Sequence, residues 1–325
     1  MRARQLVASA MLLGLSACSN SLPGVTLAPQ TAAPSSRSPR SALTPFYGLD
    51  VPHANITQAN KLSSQLGFQP TVLSTFIRLD STSTADTMRA MQAAHVTPFV
   101  TLEPWHAGVH SNEPDPLDAL ARIIDGTHDA ELRQQAHALA TYHGRIYLRF
   151  AHEMNGSYYP WGVGTNGNTA AQYVQAWRHV HDLFGTIAGL DLAWVWSPLN
   201  IESQGAHGPV SQLYPGNAYV DDVGMTAYEH RSGRAQNTFD AMIKVLTSFT
   251  TKPIILAEIG VDSPAKSEWL ASLGAYLMRT RHIIGFVYFQ TRKSTGATGN
   301  YALQSQEERS AFATSLGQIA ANRTS

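Results

Sequence analysis

Two glutamates stand where apolar runs of the sequence end. Glu153 lies in Arg149-Phe150-Ala151-His152-Glu153-Met154-Asn155-Gly156, and Glu258 in Pro253-Ile254-Ile255-Leu256-Ala257-Glu258-Ile259-Gly260. Glu153 is followed by Tyr158, Tyr159, Pro160 and Trp161. A carboxylic acid beside aromatic rings is partly desolvated, which raises its pKa and lets it hold a proton for a leaving oxygen. A carboxylate at the Glu258 position is costly to bury unless donors surround it, and chemistry is a good reason to keep it there. Brought together, two such groups can cleave a glycosidic bond. In the retaining arrangement they stand about 5 to 5.5 Å apart; one attacks the anomeric carbon while the other protonates the departing oxygen and then activates water. The plain alternative is that each glutamate pairs with a basic neighbour, Arg149 being the obvious partner for one.

Such a meeting needs elements that carry distant residues to one place. Eight short runs rich in apolar, β-branched and aromatic residues recur at 46–49, 72–77, 97–102, 146–150, 192–196, 223–227, 254–257 and 284–289. Helix-like stretches at 85–94, 130–143, 170–187, 238–249 and 268–281 lie between them. Strands that alternate with helices and read as continuous apolar runs predict a parallel sheet covered on both faces. Eight such units favour closure, so the expected fold is α/β, a (β/α)8 TIM barrel forming a single catalytic domain over residues 45–325. No Gly-x-Gly-x-x-Gly turn follows the first run to support a nucleotide fold. Active sites of these barrels sit where strands end. The residues just past the runs include Glu103, Pro104, Trp105 and His106; His152 to Asn155; Tyr228, Glu229 and His230; Glu258 and Gly260; and Gln290.

Composition narrows the partners. Basic and acidic residues balance at a formal net charge of zero, so no long-range field draws a polyanion, and nucleic acid is excluded as the expected partner. Arg2 and Arg4, an apolar run from Leu6 to Leu15 and then Ser16-Ala17-Cys18 have the layout of a secretory signal ending in a bacterial lipobox, with Cys18 the acylated residue. Residues 1–18 are thus expected to be the signal and lipobox, and residues 19–44, rich in Ser, Pro and Ala, a flexible tether. The expected location is the bacterial cell envelope, with a monomer held to a membrane by its lipid. Cys18 is the only cysteine, which leaves the domain without a disulfide or a thiolate metal site. His152-Glu153 does not extend to a zinc motif because Gly156 stands where the second histidine would be. The remaining histidines are scattered singly and read as satisfied or solvent-facing, so no metal and no cofactor is expected.

The motifs together resemble glycoside hydrolase family 26. The match rests on His152-Glu153-Met154-Asn155-Gly156 with the downstream Tyr-Pro-Trp, Thr101-Leu102-Glu103-Pro104-Trp105, Trp194-Val195-Trp196-Ser197-Pro198, Tyr214-Pro215-Gly216-Asn217 with Val220-Asp221, and Ala257-Glu258-Ile259-Gly260. The resemblance implies a retaining hydrolase of a β-linked polysaccharide, β-1,4-mannan or glucomannan first, with mixed-linkage β-glucan or β-1,3-xylan as alternatives. It implies Glu153 as acid/base, Glu258 as nucleophile, His152 as a hydrogen-bonding group near the cleaved sugar, Trp161 as an aromatic sugar platform and Tyr228 as a donor to the nucleophile. Independently, indole rings pack well on the C–H faces of pyranoses, which suits Trp105 and Trp161. Tyr228 could equally be a buried tyrosine bonded to backbone. Arg149, Glu103 and Asn155 complete the expected substrate-binding set. The eighth run ends Tyr288-Phe289-Gln290, where relatives of this kind carry a tryptophan platform. A polysaccharide-binding surface lipoprotein without catalysis is the competing expectation.

Overall fold

Each of the eight apolar runs forms a strand: β1 (Phe46–Asp50), β2 (Val72–Arg78), β3 (Thr97–Glu103), β4 (Arg145–Phe150), β5 (Asp191–Trp196), β6 (Asp222–Glu229), β7 (Ile254–Val261) and β8 (Ile283–Phe289). They pair in parallel in sequence order, and β8 closes on β1. The computed structural model describes residues 45–109, 118–231, 233–295 and 297–321. The expected signal, lipobox with Cys18 and tether lie outside the described residues.

The helices of the outer ring are α1 (Ile56–Leu66), α2 (Thr84–Ala93), α3 (Leu120–Ile124), α4 (Asp129–Leu139), α5 (Ala170–Phe184), α6 (Ala235–Thr247), α7 (Lys266–Arg279) and α8 (Gln306–Ala321). Local chemistry sets several of their ends. Asn55 caps α1 by accepting from the Gln58 amide, and Gly67 ends it in the left-handed conformation at φ 73°. Thr169 and Gln172 close a reciprocal capping box at the start of α5. The inward faces of the helices and the outward faces of the strands bury one continuous apolar cluster that includes Leu148, Phe150, Trp177, Phe239, Trp269 and Phe312.

Inside the barrel the side chains form a second, smaller cluster of Val72, Phe99, Val195, Ile255, Ala257 and Val287. Strand side chains alternate between faces, so the next inward residues on β3 and β4 after Phe99 and Tyr147 are Thr101 and Arg149. The fully buried Arg149 guanidinium lies over the rings of Phe76 and Phe99, 5.5 and 5.7 Å from their centroids. Apolar filling therefore seals the lower barrel, and polar groups begin one layer higher, below the strand ends.

β7 departs from strict alternation. Opposite it, Gly224 pairs with Ile255 and Thr226 with Glu258, so two steps on β6 face three on β7. One extra residue on a strand is a β-bulge, and it changes the face to which the following side chains point. Ala257 and Glu258 are consecutive, yet the first belongs to the interior cluster and the second bonds to the interior guanidinium. β7 also runs to Val261, so Glu258 sits within the strand and not beyond its end.

Candidate active site

The chain leaves β4 through a tight reversal. Ala151 and Glu153 both adopt the left-handed backbone, φ 43° and 54°, which costs a residue with a Cβ on the order of 1 kcal/mol or more. Surrounding bonds hold it there. The Ala151 amide donates to Leu102 O at 3.0 Å, the Glu153 amide to Ser197 O at 2.9 Å, and the Gly156 amide to Glu153 O at 2.8 Å. The Trp161 indole donates to His152 O at 2.7 Å. The carboxyl of Glu153 is thereby aimed inward, where the Tyr158 hydroxyl donates to its Oε2. Burial, and then the neighbouring Glu258 charge, push the Glu153 pKa up to about 7 against the opposing pull of Tyr158 and Arg149.

Glu258 is held from two sides. Arg149 Nη2 donates to its Oε2 at 2.5 Å, and the Tyr228 hydroxyl donates to its Oε1. Arg149 is itself fixed by Thr101 Oγ1 at 2.9 Å and Thr226 Oγ1 at 3.3 Å. A guanidinium buried beside a carboxylate supplies the countercharge that makes an ionised group tolerable below a cleft. One oxygen each of Glu153 and Glu258 and one ring nitrogen of His152 all lie within 4.8 Å of one another. The two acids, far apart in sequence, face each other across the barrel mouth.

Two more acids share this space. Glu103, buried at the end of β3, accepts from the Trp105 indole at 3.1 Å. Burial is the largest influence on it and pushes its pKa up to about 8. Asp50, at the end of β1, is likewise pushed up to about 8 by burial and by the Glu258 charge. A single guanidinium, Arg149, thus serves four neighbouring carboxyls, and three of them hold protons well above the ordinary carboxylate range. His152 is fully buried, with neither ring nitrogen hydrogen-bonded, and its ring abuts Phe76, Tyr159 and Trp161. Burial and the Arg149 charge drive its pKa well down, so it stays a neutral ring with a donor and an acceptor to offer.

Several expected substrate contacts are placed otherwise. Trp161 has no exposed surface and stacks at 4.3 Å beneath Tyr159, so its ring offers no platform to a sugar; the half-exposed Tyr159 covers that position. Arg149 is fully buried with its donors on Thr101, Thr226 and Glu258, a positioning group beneath the site and not a substrate contact. Asn155 donates to Leu199 O at 2.9 Å and accepts from Leu199 N at 2.8 Å, which commits its amide to stapling the loop after β5. Trp105 is partly exposed and meets Tyr159 edge-on at 5.6 Å. His152, Glu103 and Tyr228 lie with the two glutamates. Tyr158 and Asp50 were missed as site residues. Asp50 directly follows the first apolar run, the same strand-end signal that marked the others.

On a closed (β/α)8 scaffold, a proton-holding acid facing a carboxylate fixed by hydrogen bonds is the kind of site that glycoside hydrolases carry. The family model for glycosyl hydrolase family 26 matches residues 108–268, and the chain belongs to that family. It is 30% identical over 241 residues to Endoglucanase H of Acetivibrio thermocellus, a match covering 70% of this chain and 25% of that protein. It is 27% identical over 180 residues to the mannan endo-1,4-β-mannosidase of Bacillus subtilis, covering 53% and 44%. The chain therefore spans a quarter to under half the length of these relatives. In three dimensions it is similar to the catalytic domain of an endo-β-1,4-mannanase from Bacillus sp. JAMB-750, with a TM-score of 0.62 at 18% identity over 85% of this chain and 86% of that one.

Proposed function

We propose that the chain is a retaining endo-glycoside hydrolase acting on β-1,4-mannan or glucomannan. The observation that carries the proposal is the approach of the Glu153 and Glu258 carboxyl oxygens to within 4.8 Å, which suits direct attack and leaves little room for a water between them. Glu258, held by Arg149 and Tyr228, attacks the anomeric carbon as Glu153 passes its proton to the glycosidic oxygen. That bond breaks and a glycosyl ester forms. Glu153, now a carboxylate, takes a proton from water, and the water oxygen displaces Glu258. Neutral His152 and protonated Glu103 supply hydrogen bonds to sugar hydroxyls, and Trp105 and Tyr159 supply apolar surface to the ring faces.

Relatives named mannan endo-1,4-β-mannosidases support the mannan reading. The match to a protein named an endoglucanase, spanning more of this chain, favours mixed-linkage β-glucan as the second reading. Reducing-sugar release from mannan, glucomannan, barley β-glucan and β-1,3-xylan separates the two. Glu258→Ala should abolish release, and Glu153→Ala should lower turnover by about 100-fold or more, with less loss on an aryl glycoside whose leaving group needs no proton. Proton NMR of the first product should show the β-anomer. An α-product would overturn the retaining step, and tight polysaccharide binding with no release by the wild type would favour a non-catalytic binding protein.

A further inference from the structure

Outside the mouth, four side chains converge beside the loop that follows β3. The buried Asp118 carboxylate clamps His106 twice, with Oδ1 at 2.6 Å from ring Nδ1 and Oδ2 accepting from the His106 backbone amide at 3.3 Å. This fixes the ring so that Nε2 faces Glu131, on the first turn of α4, at 3.0 Å. The other oxygen of Glu131 meets Nδ1 of His128, the residue before α4, at 2.7 Å. The two imidazole rings stand 5.3 Å apart. One atom each from His106, His128 and Glu131 lies within 4.8 Å of the others.

From this geometry we propose that His106 Nε2, His128 Nδ1 and Glu131 form a binding site for a divalent transition metal of the zinc class, with Asp118 orienting the first ligand. Two imidazoles and one carboxylate are a set that zinc accepts, and it leaves a fourth position for water. Ligand atoms of a tetrahedral zinc lie about 3.3 Å apart for bonds of about 2 Å, so ligand atoms that already stand within 4.8 Å of one another must draw in by at most about 1.5 Å. Asp118 holding Nδ1–H is the outer carboxylate that metal-bound histidines commonly have; it fixes the tautomer that leaves Nε2 free to ligate. A metal on Nε2 takes the place of any proton shared there with Glu131. Binding therefore releases protons and weakens as pH falls. Magnesium and calcium, which prefer oxygen ligands, are disfavoured by the two ring nitrogens. Because His106 follows Trp105 in the chain, an ion at this place would tie the loop bearing that indole to the start of α4. The site is separate from the paired glutamates, and its function is structural.

Equilibrium dialysis of the intact protein against zinc chloride at pH 7.5 tests this. One equivalent should bind with micromolar or tighter affinity, and thermal unfolding should shift upward by a few degrees relative to protein in a chelator. His128→Ala and Glu131→Gln should each weaken binding by tenfold or more while polysaccharide hydrolysis, measured without zinc, stays at the wild-type rate. Glu131→Gln preserves a hydrogen-bonding side chain, so it decides the matter if His128→Ala is poorly folded. Asp118→Asn should weaken binding by about 10-fold. The cluster of His152, Glu153 and Glu258 is the competing site, and Glu258→Gln should leave zinc binding unchanged. Zinc retained in His128→Ala and Glu131→Gln but lost in Glu258→Gln would overturn the assignment, as would no binding below about 100 µM.

Discussion

At the scale of single residues the site is governed by proton ownership. In the proposed mechanism Glu153 works as an acid only while protonated, and its pKa, pushed up to about 7, is the balance of burial and the Glu258 charge against the Tyr158 hydrogen bond. The kcat/KM profile should therefore fall on its alkaline side as pH passes through about 7. Tyr158→Phe removes a donor that favours the charged carboxylate, so Glu153 should hold its proton to higher pH and the alkaline limb should move upward. A limb that stays put or moves down would show that Tyr158 does not set this acid. The convergence of these two glutamates was legible in the sequence because both follow apolar runs and one is embedded in a dense polar–aromatic motif. The fate of its neighbours was not. Arg149, Asn155 and Trp161 share that motif, yet the two left-handed residues, Ala151 and Glu153, turn the backbone so that neighbours in sequence point to different places. Residue type cannot report such a turn, since neither position is glycine.

Elements, more than individual side chains, decide whether the two glutamates meet. All eight strands were visible as apolar runs because parallel strands buried on both faces leave no polar alternation to obscure them. The bulge in β7 left no such trace. Alternation through Ile255 and Ala257 would turn Glu258 outward among the helices, and the extra residue opposite β6 turns it to Arg149 instead. Gly224 stands beside this irregularity. A Cβ built there would lie 3.0 Å from Ala257 Cβ and 3.1 Å from Ser197 Cβ. A larger side chain would press on the bulge and on the strand end whose Ser197 carbonyl holds the Glu153 amide. Gly224→Val should destabilise the fold by about 1 to 3 kcal/mol and, in the folded fraction, lower kcat more than it raises KM. Urea unfolding with steady-state kinetics on the same preparation checks both. Unchanged kcat in a destabilised variant would mean that the bulge tolerates crowding without moving Glu258.

Over the whole molecule the crowded acids of the mouth should govern how stability depends on pH. Asp50 and Glu103 are pushed up to about 8 and Glu153 to about 7, chiefly by burial. In the unfolded chain such groups titrate near pH 4. Between that value and about 8 the folded protein binds more protons than the unfolded chain, so its stability must fall as pH rises. The contribution is complete below about pH 4, is lost progressively as pH rises above it, and is gone once each acid has ionised in the fold. The ordinary carboxylates paired elsewhere, such as Glu131 with its two histidines, act in the opposite sense, because its pKa is lowered; their contribution fades as pH falls. Optimum stability is thus expected on the acidic side of neutrality, with a decline from about pH 6 that levels off near pH 8. Asp50→Asn separates the two influences, since an amide of the same shape keeps the side chain neutral at every pH. The variant should match the wild type at or below about pH 4, exceed it by a margin that grows up to about pH 8, and show a shallower slope of unfolding midpoint against pH. A slope equal to that of the wild type would mean that Asp50 is already ionised in the folded protein, and that the single guanidinium of Arg149 supports more negative charge than its position between Glu258 and two threonines suggests.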